Sequence, residues 1–299
     1  MLLLTRADVE ACLDLDKLID ALAAAHVELS AGAVSMPPRI AAFTAKGLLG
    51  TMPGFAPSAG LGAKLVSVFP ENRDRETHQA AIALFDPETG TPAALMEGGY
   101  ITAMRTAAAA ALSARLLARD GARVLAILGT GVQARAAREM FPRALELAEI
   151  RTAGRGEFED VVRGADVVAA TTAAAEPVVH ADWLAEGAHV TSVGYNPPGS
   201  ELDPEIVRRA AIVCVESRDS ALAAPPAGAV ELSGVSPDVV VELGELASGG
   251  RSGRGSSTEI TLYKSVGVAV QDLAAAALVL QAARERNIGL EFELEGLHE

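Results

Sequence analysis

The chain has 299 residues, of which half are hydrophobic and 21% are charged, and its formal net charge is −14. This length and composition support a large hydrophobic core in one or two domains. The acidic balance argues against nucleic acid as a partner. No apolar run approaches the length of a membrane span, and the N-terminal residues lack the pattern of a signal peptide. Cys12 and Cys214 have no metal-type spacing, so we expect free thiols and a cytoplasmic location.

The first hundred residues predict an α+β arrangement. Apolar residues at helical spacing between Leu15 and Leu29 predict a helix that ends near Gly32. Strand patterns follow in "RIAAF", "LLGTMPGF", "GAKLVSVF" and "AAIALF". The last of these turns through "DPETG" into "TPAALME", which predicts a hairpin.

The stretch "ITAMRTAAAA" predicts the start of the next helix, with Thr102 as its N-cap and an end near Leu117. Arg105 would then lie in the first turn, where the helix dipole disfavours a cation. Either an anion binds beside Arg105, or the residue is a solvated arginine whose position costs only about a few tenths of a kcal/mol. Taken alone, the stretch favours the second interpretation.

From Arg123 onward, strands and helices alternate in the pattern of a parallel α/β sheet. We predict a helix over "VQARAAREMF" that ends at Pro142, and a final amphipathic helix over "VAVQDLAAAALVLQAARERN". The predicted strands are "RVLAIL", "EIRTAG", "ADVVAATT", "HVTSVG", "AIVCVE" and "EITLYKS".

A glycine loop carries the strongest local signal. The stretch "LAILGTGVQARAA" places Gly129-x-Gly131-x-x-Ala134 between a predicted strand and a predicted helix. The first glycine permits the tight turn, the second lets a pyrophosphate approach the backbone, and the small third residue lets helix and strand pack closely. Amide groups at the helix N-terminus would face the phosphates. Many such turns bind nothing, but the strands that follow supply the required context, so we predict dinucleotide binding.

The end of the next strand bears on the choice of cofactor. Arg155 stands at the end of the strand "EIRTAG" and is followed by Gly156 and Glu157, whereas Glu149 lies too early. An acid at this place favours NAD, and an arginine accommodates the additional phosphate of NADP. Arg155 therefore predicts NADP as the preferred cofactor, and Glu157 leaves NAD open. The alternative is that Arg155 is only a solvated loop residue.

Seven motifs resemble the ornithine cyclodeaminase/μ-crystallin family in order and spacing: "MPPRIA", "GAKLVSVFPEN", "ALFDPETGTPAALMEG", "ITAMRTAAA", "LGTGVQA", "VGYNPPGSELD" and "KSVGVAVQDLAAA". The resemblance covers almost the whole chain. It implies an α/β fold in which a Rossmann-type dinucleotide-binding domain, residues 119–269, is inserted in an α+β substrate-binding and dimerisation domain, residues 1–118 plus about 270–299. It also implies a homodimer and a small amino or imino acid as substrate.

The same resemblance implies that Arg39, Lys64 and Arg105 contact the substrate carboxylate and that Lys64 acts in catalysis. A guanidinium fork and a helix N-terminus both suit a carboxylate. An idle charge in the apolar run around Lys64 would be costly to bury. A lysine flanked by two arginines should also lose its proton more easily than a free one. The alternative for Arg39 and Lys64 is ordinary surface charge.

The remaining expected contacts follow from the family pattern, and each of these residues alone could be a plain turn or core residue. Val266 is expected at the substrate, and the five histidines show no ligand spacing, so we predict no metal site. The expected cofactor contacts are Thr77, Arg105, Gly129, Gly131, Val132, Gln133, Arg155, Thr171, Val190, Thr191, Ser192, Val193, Ser200 and Ser265.

The chain departs from the family pattern in two places. The segment "RGEFEDVVRG" barely accommodates a helix, and Asn196 stands at the catalytic position where cyclodeaminases carry a proton-exchanging aspartate. Asparagine cannot exchange a proton at neutral pH. We therefore predict an NAD(P)-dependent oxidoreductase that reduces a cyclic or linear ketimine, or interconverts an α-amino acid and its 2-oxo acid. The alternatives are an ornithine cyclodeaminase, which forms proline and ammonia, and a non-catalytic binding protein of the crystallin type.

Overall fold

The computed structural model describes residues 1–194, 198–225 and 227–294. The chain forms two compact units: Met1–Arg105 together with the chain from Val268 onward, and Thr106–Gly267. The first boundary lies inside a helix rather than after residue 118, where the sequence placed it. The reason is that the later part of this helix packs in the second unit, where Ser113 bonds to His189.

The first unit begins with a short strand, two helices and a series of antiparallel strands. The predicted hairpin is present, with its turn between the last two strands. The elements are β1 (Leu2–Leu4), α1 (Arg6–Cys12), α2 (Leu15–Ser30), β2 (Ile40–Phe43), β3 (Leu48–Ala56), β4 (Gly60–Val68), β5 (His78–Phe85), β6 (Pro92–Glu97) and α3 (Gly99–Leu117).

The second unit is a parallel sheet flanked by helices. Its elements are β7 (Val124–Leu128), α4 (Val132–Ala144), β8 (Glu149–Ala153), α5 (Phe158–Val162), β9 (Val167–Ala170), β10 (His189–Ser192), α6 (Pro204–Arg209), β11 (Ala210–Val215), α7 (Arg218–Ala221), β12 (Val240–Glu242), α8 (Leu243–Ala247) and β13 (Ile260–Lys264). Short 3₁₀ turns cover Val230–Leu232 and Pro237–Val239. The strand order β12-β11-β13-β10-β9-β7-β8, with parallel pairs throughout, is that of a Rossmann-type sheet, which confirms the predicted α/β class.

The chain then returns to the first unit through α9 (Ala269–Arg286) and β14 (Leu290–Glu291). Among the described residues the first sheet has the order β14-β1-β6-β5-β4-β3-β2, and α9 packs across β3, β4 and β5. Side chains alternate between the two faces of a strand. On β4 the face under α9 carries Gly62 and Lys64, and a Cβ on Gly62 would lie 2.9 Å from Leu273 Cδ2. The helix therefore lies directly on the strand that carries Lys64.

Two sequence predictions about local structure are wrong. Pro142 does not end α4 but lies in its last turn, because the fixed φ of proline is compatible with a helix and only the hydrogen bond of its own nitrogen is lost. Strand β8 ends at Ala153, so Arg155 lies in the loop beyond it. The expected shortness of the following segment is confirmed, because α5 has only five residues.

Both cysteines are buried free thiols. Within the described ranges, the helices do not combine the length and apolar character that crossing a membrane requires.

Candidate functional site

Lys64 is a buried cation in the first unit. Its position on β4 directs it under α9, where only 2% of the residue is exposed. Its Nζ donates to Oδ1 of Asp272 at 3.0 Å. Arg105, also buried, donates from Nε to the same oxygen at 3.0 Å and from Nη1 to Oε1 of Gln271 at 2.7 Å. One carboxylate from the first turn of α9 thus binds two cations from different elements.

The second oxygen of this carboxylate, Asp272 Oδ2, is buried and accepts no hydrogen bond from the described residues. The neighbouring Gln271 extends the cluster, since its Nε2 lies 3.1 Å from Nε2 of His26 on α2. We name Lys64, Arg105, Gln271 and Asp272 the cation cluster. No role for Gln271 or Asp272 was predicted from the sequence. A signal was present, because Asp272 is a lone acid in the apolar run "VAVQDLAAA".

Burial and charge act in opposite directions within the cation cluster. Burial is the largest influence on Lys64 and, with the positive charges of Arg105 and Arg39, it outweighs Asp272 and lowers the pKa of Lys64 to about 8. Burial opposes ionisation of Asp272, but the two neighbouring cations and their hydrogen bonds outweigh it, so the pKa of Asp272 is lowered. Lys64 can therefore exchange a proton close to neutral pH while Asp272 stays ionised.

Helix α3 begins earlier than the sequence predicted, and this changes the interpretation of Arg105. The helix starts at Gly99, because the Glu97 carboxylate accepts from the amides of Gly99 at 2.6 Å and Tyr100 at 3.0 Å. Thr102 is not the N-cap, and its hydroxyl donates to the Gly98 carbonyl instead. Arg105 is thus in the second turn, and its position relative to the helix dipole does not indicate an anion site. Arg105 remains a candidate site residue because it is a buried cation bonded to Asp272.

Two further expected site residues of the first unit lie just before strands. Arg39 directly precedes β2, and its charge contributes to the lowered pKa of Lys64. Thr77 directly precedes β5, where its carbonyl accepts from the Phe69 amide at 2.8 Å and its hydroxyl lies 3.1 Å from Nδ1 of His78. The structure thus brings Arg39 into electrostatic range of the cation cluster, while Thr77 closes the end of the β4–β5 pair.

The glycine loop of the second unit has the geometry that a dinucleotide requires. Gly129 has a φ of +118°, and a Cβ there would lie 2.9 Å from Thr171 Oγ1. A Cβ on Gly131 would meet no atom within 4 Å. Gly131 is also the N-cap of α4 and has no side chain to cap the helix, and Val132 at the first helical position is exposed. The Oε1 of Gln133 is buried and accepts no hydrogen bond from the described residues. The two glycines and the uncapped start of α4 fit a pyrophosphate there, whereas the Gln133 oxygen can only accept and needs a donor.

The loop after β8 carries the residues expected near the adenosine ribose. Arg155 is exposed and has no hydrogen bond or ion pair with the described residues. Glu157 directly precedes α5, and its amide donates to the Gly154 carbonyl at 3.4 Å. Both side chains are therefore available to a ligand at this edge of the sheet.

Glu201, which the sequence did not single out, joins the loops at the carboxyl ends of β9 and β10. Its Oε1 accepts from the amide and hydroxyl of Thr172 at 2.5 and 2.7 Å. Its Oε2 accepts from Ser192 Oγ at 2.9 Å and from the Gly194 amide at 2.7 Å. The Thr171 hydroxyl donates to Leu128 O at 2.7 Å, which joins β9 to β7. A fully bonded buried carboxylate fixes the backbone at the sheet edge where dinucleotides bind.

Glu216, after β11, acts in the same way on the segment before α9. It accepts from the Ser265 hydroxyl at 2.5 Å and from the amides of Val266 and Gly267 at 3.2 and 3.0 Å. Lys264 forms a buried ion pair of 3.0 Å with Glu231. A signal for Glu216 existed in the sequence, since it is an acid directly after the apolar strand "AIVCV".

The other expected cofactor contacts of the second unit differ in exposure. Val190 is completely buried in the hydrophobic core, and Thr191 and Ser192 are almost completely buried. Val193 and Ser200 are half-buried, and the Ser200 hydroxyl donates to the Leu202 carbonyl. Asn196 lies outside the described residues. Within them, no group of three or more His, Cys, Asp or Glu side chains is arranged to hold a metal ion.

The fold and these two sets of residues define a protein that combines a Rossmann-type unit with a second unit containing buried cations. The sequence matches the model of the Ornithine cyclodeaminase/mu-crystallin family over residues 1–158 and 155–287. The chain therefore belongs to this family.

Three curated relatives carry names of enzymes. Mouse (Mus musculus) ketimine reductase mu-crystallin is 38% identical over 83% of this chain and 85% of its own. The alanine dehydrogenase of Archaeoglobus fulgidus is 33% identical over 96% and 97%. A Bacillus cereus Delta(1)-pyrroline-2-carboxylate reductase is 34% identical over 78% and 80%.

Two solved structures are similar over nearly the whole chain. The Thermococcus litoralis Delta(1)-pyrroline-2-carboxylate reductase in complex with NADH and L-proline has a TM-score of 0.90 and 32% identity, covering 98% of this chain and 100% of its own. An archaeal alanine dehydrogenase dimer with bound NAD has a TM-score of 0.90 and 30% identity, covering 99% of each chain. Both are described with a bound nicotinamide dinucleotide, in agreement with the predicted oxidoreductase class.

Proposed function

We propose that this protein is an NAD(P)-dependent oxidoreductase that reduces an α-imino acid, either a cyclic or a linear ketimine, or interconverts an α-amino acid and its 2-oxo acid. The observation that carries the proposal is the buried cation cluster in a chain that also has an open glycine loop at the start of α4. Family membership and the names of the relatives support the same reaction class.

In this proposal the substrate carboxylate binds to Arg105, Lys64 and Arg39. The carboxylate suits these residues because guanidinium groups offer paired donors and because a buried site strengthens charge-assisted hydrogen bonds. Anchoring the carboxylate also fixes the α-carbon, which reduces the entropy lost on reaching the transition state. When bound, the nicotinamide cofactor supplies or accepts the hydride.

Lys64 is the proposed acid–base group. Its pKa of about 8, lowered chiefly by burial, lets the ammonium give a proton to a substrate nitrogen near neutral pH. A single hydride transfer with one proton asks no more of the protein. The expected nucleotide contacts are the amides that follow Gly131 at the start of α4, and Ser265 is expected at the nicotinamide.

The preferred cofactor in this proposal is NADP. Arg155 is exposed two residues beyond β8 and is not engaged by the described residues, so it is free to bind a ribose phosphate. The solved relatives are described with NADH and NAD.

We also propose a homodimer through the open face of the first sheet. The face opposite α9 carries exposed apolar side chains on neighbouring strands, including Ile40, Leu49, Leu65 and Leu95. An apolar patch of this kind marks an interaction surface, and an archaeal relative is described as a dimer. Leu49→Glu should convert a dimer to a monomer in light scattering, whereas Val239→Glu, at an exposed site in the other unit, should not. A monomeric wild type would contradict the proposal.

The test of function is NAD(P)H oxidation with purified protein. The substrates are Δ1-pyrroline-2-carboxylate, Δ1-piperideine-2-carboxylate and pyruvate plus ammonia, and Lys64→Met is the negative control. We expect turnover of at least one imine by the wild type and none by the variant. Cofactor binding without turnover across the panel would favour the non-catalytic alternative.

A further inference from the structure

Asp272 stands at the centre of the cation cluster but has no role in the reaction as proposed so far. Oδ1 accepts from both Lys64 and Arg105 at 3.0 Å, and the residue is fully buried. Gln271, the preceding residue on α9, accepts from Arg105 at a second atom. Removal of one partner from a buried charge pair is strongly disruptive, because the other charge is left unpaired.

We propose that Asp272, assisted by Gln271, is a positioning residue that fixes the Lys64 ammonium and the Arg105 guanidinium where they receive a substrate carboxylate. This inference rests on the proposed function and adds to it a requirement for a carboxylate on α9.

The donors that remain make the arrangement suitable for a second anion. An ammonium has three donors and a guanidinium has five. Within the described part of the chain, Asp272 and Gln271 use one donor of Lys64 and two of Arg105. Both cations therefore retain donors for a ligand, although each already donates one hydrogen bond to Asp272.

Gln271 fixes the plane of the Arg105 guanidinium. Its Oε1 must face Arg105, because a guanidinium can only donate. Its Nε2 then faces Nε2 of His26 at 3.1 Å. Helix α2 thereby supports the orientation of Arg105 through the amide of Gln271, and the guanidinium is fixed at both Nε and Nη1.

The charge of Asp272 also sets the ionisation of Lys64. In the described part of the chain, the charged and titratable groups found around Lys64 are Asp272 on α9, Arg105 on α3, Arg39 before β2 and His78 on β5, and His26 on α2 adjoins the cluster through Gln271. Asp272 is the one anion among these groups, and it raises the pKa of Lys64 against burial and the two arginines. Without its charge, the Lys64 ammonium would lose its proton at lower pH.

The experiment compares wild type, Asp272→Asn and the control Asp166→Asn, each loaded with cofactor. Asp166 is a buried carboxylate of the other unit that binds Arg119 and the amides of Arg123 and Val124, so its variant matches the loss of a buried charge. The readouts are the pH dependence of kcat/KM and of the Kd for pyrrole-2-carboxylate, a flat carboxylate that cannot be reduced like an imine.

We expect Asp272→Asn to shift the basic limb of both profiles to lower pH by about one unit or more and to weaken binding at pH 8 by about tenfold. Asp166→Asn should leave both limbs in place. In a Lys64→Met background, Asp272→Asn should produce no further shift, because the group on which it acts is gone. An unshifted basic limb in folded Asp272→Asn would overturn the proposal.

Two further outcomes separate this proposal from the proposed function. In one outcome, the wild type binds pyrrole-2-carboxylate but turns over no imine, and the basic limb of the Kd profile is still shifted in Asp272→Asn. This outcome would support the positioning role and contradict the proposed enzymatic function. No binding by the wild type at any pH would overturn both. Should Asp272→Asn not fold, Asp272→Glu keeps the charge but displaces it, and wild-type affinity and kcat in that variant would overturn the positioning role.

Discussion

Nζ of Lys64 lies 3.0 Å from Oδ1 of Asp272 in a pair whose side chains are almost fully shielded from solvent. The strand β4 supplies the lysine and the first turn of α9 supplies the carboxylate, so packing of α9 on the sheet forms the pair. Charges removed from water in this way depend strongly on each other. Conservative changes to the cations of this cluster should therefore have large effects.

Arg105→Lys should lower kcat/KM by about a hundredfold, because a lysine offers fewer directed hydrogen bonds than a guanidinium and the substrate is then misplaced. The lysine keeps the charge but cannot bond Asp272 and Gln271 with one fork. Steady-state kinetics and cofactor titration provide the measurement, and Arg115→Lys, near the other end of the same helix, is the control. We expect nearly unchanged cofactor affinity in both variants. Wild-type kinetics in Arg105→Lys would refute a carboxylate-binding role.

The two glycines of the phosphate loop should respond differently to alanine. Gly131→Ala should fold like the wild type, because its new Cβ meets no atom within 4 Å. It should weaken cofactor binding by about tenfold or more, since the methyl group occupies the approach of the pyrophosphate. Gly129→Ala should instead lower the free energy of unfolding by about 1–3 kcal/mol, because the residue has a φ of +118°. Thermal unfolding and fluorescence titration distinguish the two, and equal cofactor affinity of Gly131→Ala and wild type would argue against the loop as the phosphate site.

The cofactor preference should depend on Arg155. Arg155→Ala should weaken NADPH binding by about tenfold, which corresponds to one charge-assisted hydrogen bond, and leave NADH binding unchanged. Arg208→Ala, an exposed arginine paired with Glu205 on α6, serves as the control for general charge effects. Tighter binding of NADH than NADPH by the wild type would show that the predicted preference is wrong.

His189 should make the protein sensitive to acid. Its ring is buried between Ser113 and Thr261, and burial, with a smaller effect of Arg254, lowers its pKa to about 3. Below pH 6.5 the unfolded chain takes up a proton that the folded state excludes, so stability falls as the pH falls from 6.5 toward 3. This residue alone should account for a loss of about 2 kcal/mol between pH 6.5 and 5.

Urea unfolding at these two pH values measures the effect. His189→Asn should be less stable at pH 7.5, because the hydrogen bonds are altered, but its stability should fall less between pH 6.5 and 5. A pH dependence equal to that of the wild type would exclude His189 as the acid-sensitive group.

We expect no conversion of ornithine to proline and ammonia with catalytic NAD. The reason lies in Asn196, since cyclodeamination needs several proton transfers that an amide cannot perform. Two other carboxylates that could take the place of the aspartate are engaged in capping helices: Glu97, at the end of β6, caps α3, and Asp203 caps α6. Ammonia release and proline formation are the readouts, and Asn196→Asp is the informative variant. Many turnovers by the wild type would place the cyclodeaminase first.

The sequence alone predicted most of the local structure and the class of the protein. The apolar periods predicted the helices α2 and α9 and most strands of both units, because alternation and helical spacing are local properties. They did not predict the short strands β1, β12 and β14. The glycine loop between β7 and α4 was likewise predictable, since the backbone turn itself requires Gly129. The family motifs also singled out Lys64 and Arg105, and both cations are buried in the structure.

Only the tertiary structure decided which charges meet. Asp272 is 208 positions from Lys64 and 167 from Arg105, and no local pattern connects an acid on one helix to a lysine on a distant strand. The start of α3 could not be predicted from the local sequence. Thr102 is a good N-cap by residue type, but the Glu97 carboxylate accepts from the amides of Gly99 and Tyr100, and the helix begins there. Side-chain type fixes which partners are chemically possible, whereas packing of α9 against the sheet selects the partner that is present.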